Sequence, residues 1–308
     1  MKCVVTGARG RLGSNLCTHL VADGNEIHRF SRNADSMHLP LAQLSEHLQR
    51  GVDVLFHLAW SSVPSTSEIT PGIEWREDLP LLSQLLFELL KIQRSNRQPP
   101  LFVFFSSCSV YGEGVAGDRV FFESNPKIPK GWYARGKAEA ENLIEGFQSL
   151  GLPALILRIT NPYGFVQGRS AMQGVIPAIF HAIRDSRPLQ VWGDGSATKD
   201  FIHMEDLLNA IDFLVANRAT GIFNIASSQP TSVNELVSLI ESQTGCPVEK
   251  CYRPPSAWDV QNGRYSNARL TALTGWVPQV SLEAGIHKGL VQFRGENSEF
   301  ALAILSRC

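Results

Sequence analysis

The chain has 308 residues, 44% hydrophobic and 19% charged, which is enough apolar content for a full core and too much for a disordered chain. Lys and Arg total 28 against 29 Asp and Glu, and the resulting net charge of −1 argues against nucleic-acid binding through bulk charge. The longest apolar runs, such as 101–105, fall far short of the ~20 residues that span a bilayer, so a membrane protein is not expected.

In chain order, residues 2–6 form a short β-branched run that ends at glycine, and 14–22 carries helical spacing through Leu16 and Leu20. Strands are expected at 26–30 and 52–58, with a weak, stunted strand at best between Arg32 and Val52. A long Leu-rich helix follows at 79–94, then a buried strand at 101–106, a helix at 133–150 and a strand at 154–159. Strands alternating with helices of this length imply a Rossmann-type, doubly wound parallel sheet in an α/β fold. After Thr160 the rhythm breaks at a stretch rich in Gly, Asn, Pro and Gln, 161–174. Helices at 175–185, 205–216 and 233–243 and strands at 189–192 and 222–226 then suggest a smaller C-terminal α/β substrate domain. The expected division is 1–164 for the dinucleotide-binding domain, with 200–227 crossing back to it, and 165–308 for the smaller one.

The N-terminus, MKCVVTGARG, has no apolar signal core. The six cysteines, Cys3, Cys17, Cys108, Cys246, Cys251 and Cys308, are scattered without a CxxC pair. Both features imply a cytoplasmic setting with reduced thiols. His57 and His203 sit among apolar neighbours and read as structural. With no second ligand at a metal spacing, no metal is expected.

Two patterns carry chemistry. Gly7, Gly10 and Gly13 are spaced GxxGxxG directly after the first strand and before the first helix. That placement lets backbone amides and a helix N-terminus approach a pyrophosphate. Tyr133 and Lys137 stand i, i+4, so one helix face presents both. A lysine charge beside a phenol favours phenolate and makes tyrosine a usable base. Ser106 and Ser107 end a strand nearby.

With these residues in view, the chain resembles the extended short-chain dehydrogenases/reductases of the NAD-dependent epimerase/dehydratase family, nucleotide-sugar 4-epimerases above all. The matching segments keep the family's order: TGARGRLG at 6–13, HLAW at 57–60, SSCSVYG at 106–112, YARGK at 133–137, RITNPYG at 158–164, QGVIP at 173–177, WGDGSATKDFIHMEDL at 192–207, FNIAS at 223–227, YRP at 252–254 and GWVP at 275–278. The resemblance implies Tyr133, Lys137 and Ser107 as catalytic residues. It implies Gly7, Arg9, Gly10, Arg11, Leu12, Gly13, Ser31, Arg32, Leu58, Ala59, Ser106, Tyr133, Lys137 and Thr160 along a tightly held NAD or NADP. Ser107, Asn161, Lys199, Arg253 and Asp259 would meet a small-molecule nucleotide sugar, in a cytoplasmic homodimer that binds neither nucleic acid nor membrane.

The departures from the family pattern discriminate between activities. Sugar 4,6-dehydratases carry Asp-Glu after the Ser/Thr, and decarboxylases keep a glutamate there. Here those positions are Cys108 and Ser109, which leaves epimerisation, with an NADPH-dependent keto-sugar reductase as the alternative and a non-catalytic cofactor-binding protein as a third. Ser31-Arg32 replaces the carboxylate that usually takes the adenosine ribose, and Arg32 could hold a 2′-phosphate, with Arg9 nearby. This leans the cofactor expectation towards NADP or dual use. Lys199 stands where many epimerases have arginine.

Overall fold

The structure is a computed structural model and describes residues 1–95, 97–113, 120–165, 174–256, 258–260 and 262–296. Cys308 and Gln173, the first residue of the QGVIP segment, lie outside the described residues.

A seven-stranded sheet organises the chain. Its strands are β1 (Lys2–Thr6), β2 (Glu26–Ser31), β3 (Leu39–Pro40), β4 (Val54–His57), β5 (Leu101–Ser107), β7 (Ala154–Ile159) and β11 (Gly221–Ile225), with β6 (Val120–Phe121), β8 (Asn161–Tyr163), β9 (Leu189–Trp192) and β10 (Thr198–His203) outside it. The order across the sheet is β11-β7-β5-β4-β1-β2-β3, and every pair is parallel. The weak strand signal after Arg32 corresponds to β3, a two-residue edge strand. The winding direction reverses between β1 and β4, where open α/β sheets form their ligand cleft.

Both faces of the sheet are covered, so its strands read as nearly continuous apolar runs. On one face Cys3, Val5, Phe56, Val103, Leu157 and Ile225 pack with α1 (Arg11–Ala22) and α7 (Met204–Ala216). On the other, Val4, Leu55, Phe102, Phe104 and Ile156 pack with α4 (Leu79–Arg94) and α5 (Gly131–Ser149). The helices α2 (Leu44–Gln49) and α3 (Pro64–Ile69) lie between β3 and α4 in the chain, and a π turn, Glu74–Asp78, leads into α4.

A separate core joins α6 (Val175–Asp185), β9, α8 (Val233–Thr244) and α10 (Leu282–Glu296) through Ile179, Phe180, Val191, Leu236, Ile240 and Ile286. Three small sheets lie beside the main one. These are β12 (Pro230–Ser232) with β10 and β8, β13 (Lys250–Arg253) with β9, and β14 (Arg264–Tyr265) with β6. The short helix α9 (Ala268–Thr274) packs on β11 and α7.

One polar cluster sits inside the apolar layers. Arg158 on β7 is 1% exposed and grips Glu141 of α5 through both its Nε and Nη2 atoms, the latter at 2.7 Å. Ser106 Oγ donates to the same carboxylate at 2.5 Å. A buried arginine survives only when paired and hydrogen-bonded like this.

Candidate active site

The glycine turn is shaped by contacts that admit no side chain. Gly7 has φ +72°, and a Cβ there would lie 2.6 Å from Ala59 N, so the turn presses against the end of β4. A Cβ on Gly13 would lie 2.2 Å from the Gly7 carbonyl oxygen. Gly10 N donates to that oxygen at 2.9 Å, and Gly10 and Arg9 face outward at the head of α1. Leu12 is half-buried beside the sheet, and Arg11 stacks over Phe165 at 4.8 Å. Leu58 N donates to Thr6 O and Ala59 N to Thr6 Oγ1, which joins the ends of β4 and β1. The cradle fits a dinucleotide pyrophosphate, since backbone rather than side chain lines it at a helix N-terminus.

At the adenosine end, Ser31 is buried. Arg32 donates to Ser61 Oγ at 2.6 Å and pairs with Glu77 at 3.0 Å. Arg9 donates to Asn33 O and lies 3.4 Å from Asp35. Both cations stand at the mouth of the cleft and are held by weak, exposed pairs.

Across the cleft, β5 delivers Ser107 and α5 delivers Tyr133 and Lys137. Ser107 Oγ accepts from Ser109 N at 3.1 Å and lines the same cavity as Tyr133, Thr160, Asn161, Lys199 and Asp259. Lys137 is buried, donates to Phe105 O at 2.8 Å, and lies 3.8 Å over Trp60 and 5.8 Å from the centre of the Tyr133 ring. Burial pulls the Lys137 ammonium down to about 7, while Asp78, Glu141 and Glu74 oppose the change. Burial holds the Tyr133 phenol well above its usual value, helped by the charges of Glu74 and Asp78. Burial and these two acids therefore oppose the phenolate that the Lys137 charge favours.

Sequence reasoning missed Glu74 and Asp78. Both are buried, and Glu74 Oε2 and Asp78 Oδ2 have no hydrogen-bond partner. Glu74 Oε1 accepts from Ser62 and Ser67, and Asp78 Oδ1 accepts from the Ser61 amide and hydroxyl. Two acids four residues apart at the head of an apolar helix were the available signal. Trp258, Tyr265, Glu68 and Asp200 also line the cavity and were not singled out. Asp200 is fully buried, and its carboxyl is pushed up to about 6 by that burial.

Not every expected residue reaches the cleft. The Ser106 side chain faces the core and is committed to Glu141, because it alternates with Ser107 along β5. Arg253 is exposed on β13, opposite Trp192, and is not among the residues that line the cavity. Lys199 and Asp259 pair with each other at 2.6 Å, and Asn161 Nδ2 donates to Asp200 O. Cys108 is buried, donates to Arg158 O and has its thiol pushed up by burial, so it is no nucleophile. His57 bonds Thr6 Oγ1 at 2.8 Å, and burial lowers it to about 3. His203 caps α7.

The fold and this cleft define a Rossmann-type α/β protein with a dinucleotide cradle and a cavity lined by Ser107, Tyr133 and Asn161. The chain belongs to the NAD dependent epimerase/dehydratase family, whose profile matches residues 3–226. It is 28% identical to the UDP-glucose 4-epimerase of Mycolicibacterium smegmatis, over 96% of this chain and 100% of that one. It is also 28% identical to the UDP-N-acetyl-alpha-D-glucosaminuronate decarboxylase of Bacillus cytotoxicus, over 95% and 98%. In structure it resembles the UDP-glucose 4-epimerase of Thermus thermophilus in complex with NAD, with a TM-score of 0.84 at 24% identity over 96% and 100% of the two chains. Among the described residues no helix is long and apolar enough to cross a membrane.

Proposed function

We propose that the protein is an NAD(P)-dependent nucleotide-sugar epimerase that inverts C4 of a UDP-hexose. The observation that carries this reading is one cavity lined by Ser107 and Tyr133, with buried Cys108 and half-buried Ser109 in the places where dehydration needs an acid and a base. Tyr133 takes the proton of the sugar C4 hydroxyl and later returns it. Ser107 hydrogen-bonds the reacting oxygen, and Lys137 supplies the positive charge that favours the phenolate. A dinucleotide whose pyrophosphate is held by the glycine cradle would supply the hydride acceptor and donor through its nicotinamide. Asn161, Lys199 and Asp259 face the rest of the nucleotide sugar. Support comes from the family match and from the M. smegmatis relative.

The test is purified protein given UDP-glucose without added cofactor. Formation of UDP-galactose with no net redox change is expected, and mass spectrometry of the denatured protein should release NAD or NADP. Net NADPH oxidation with a keto-sugar and no interconversion would replace this reading with a reductase. Ser31 and Arg32 favour that second reading, and they also support use of NADP or of both cofactors. A 2′-phosphate would exchange with Glu77 for the Arg32 guanidinium. Titration of both cofactors into stripped protein decides the point: tighter NAD binding that survives Arg32→Ala rules out the phosphate clamp.

We further propose that 1–164 with 200–227 holds the cofactor and 165–308 shapes the sugar site. Two copies would pair in the cytoplasm through α4 and α5, where Phe87 and Leu150 are exposed. Light scattering of the purified chain checks the dimer.

A further inference from the structure

We infer that Glu68 makes this cavity selective for an uncharged hexose and excludes hexuronates, an inference that rests on the nucleotide-sugar reading above. Glu68 lies on α3, and its Oε1 accepts from the backbone N–H of Trp132 at 2.8 Å, in the first turn of α5. The fit is close: a Cβ on Gly131 would lie 2.7 Å from the same oxygen. Tyr133 is the next residue on that helix, so the carboxylate stands in the wall of the cavity on the side where the sugar reacts.

The start of a helix concentrates positive partial charge and free N–H groups, and is the natural place in this cavity for a sugar carboxylate. Here the chain has filled it with a carboxylate of its own. The cations along the wall do not compensate: Lys130 pairs with Glu113 and Lys199 with Asp259. Among the described residues no cation pairs with Glu68. Asp200 adds a second carboxyl to the lining. A C6 carboxylate entering this wall meets like charge, whereas a C6 hydroxyl finds an acceptor. Specificity of this kind comes from the repulsive element as much as from attraction.

The test measures binding, so it does not depend on turnover. Calorimetry on cofactor-loaded protein compares UDP-glucose with UDP-glucuronate. The wild type is expected to prefer UDP-glucose by about 100-fold, the scale of a like-charge juxtaposition in a binding site. Glu68→Gln keeps an oxygen for the Trp132 N–H and removes the charge, and the ratio should fall by about tenfold or more. Equal affinities in the wild type overturn the inference, as does an unchanged ratio in a folded Glu68→Gln variant. If the selectivity holds but UDP-glucose is not interconverted with UDP-galactose, the epimerase reading fails and the assignment of Glu68 stands. A protein that binds neither sugar refutes both.

Discussion

Lys137→Met tests the heart of the site. Methionine fills similar volume against Trp60 and Phe104 but carries no charge. The ammonium lies 5.8 Å from the centre of the Tyr133 ring. At that distance a unit charge acting on a phenolate through an effective dielectric of ~20 is worth roughly 3 kcal/mol, or about two pKa units. The phenol of Tyr133 is already held high by burial and by Glu74 and Asp78, so losing its cation moves it higher still. At and below about pH 7, where Lys137 keeps its charge, the rate should fall by up to about 100-fold, and the rising limb of the pH–rate profile should move up. Profiles of kcat from pH 6 to 10 for both proteins read this directly, with cofactor affinity measured alongside to separate binding from proton transfer. A limb that stays in place while the cofactor remains bound would refute the electrostatic role given to Lys137.

Three further outcomes follow from the same geometry. Tyr133→Phe should fold normally and lose ~10²–10⁴-fold in kcat, and a folded variant that keeps more than about a tenth of the rate would remove Tyr133 as the base. Gly13→Ala forces a methyl within 2.2 Å of the Gly7 carbonyl, so the purified variant should carry no dinucleotide by mass spectrometry and should melt earlier, since overpacking costs ~1–3 kcal/mol. Asp200 has its carboxyl pushed up to about 6 in the fold, so its stabilising contribution is full below the ordinary value of 3.8 and is lost as pH rises through about 6. Asp200→Asn should therefore gain in melting temperature relative to the wild type between pH 4.5 and 7.5, and calorimetric melts at the two pH values check the sign.

The main sheet was legible because burial on both faces writes long apolar strands, and because the helices between them are long and periodic. The 79–94 and 175–185 expectations coincide with α4 and α6. The short elements were not legible. β6, β12 and β14 each span two or three residues and exist only through partners far along the chain, which local pattern does not encode. The glycine turn, Ser107, Tyr133 and Lys137 could be singled out in the sequence because dinucleotide binding and proton transfer would require that spacing. The side-chain direction of Ser106 was written in strand alternation: it shares the parity of Phe102 and Phe104, which face α4 and α5, and Ser107 takes the opposite parity. Glu68, Glu74 and Asp78 were hidden because an acid on a helix is ordinarily solvated. Only the packing of α3 and the π turn against α5 turns them inward.

The fork between Arg158 and Glu141 has a consequence for how this protein could diversify. Glu141 is two helical turns beyond Tyr133 on α5, so the charged contact fixes the phase of the whole helix about its axis. A phenolic oxygen stands ~6 Å from such an axis, so a 10° turn would carry it about 1 Å, a shift that can cost about 100-fold in rate. The groups proposed to address the sugar, Glu68, Lys199 and Asp259, come from other segments: α3, β10 and the stretch before β14. Those segments are free to vary without touching the anchor. The chain can therefore exchange the molecule it accepts while inheriting its proton-transfer geometry unchanged, a division of labour that makes new specificities reachable by few substitutions.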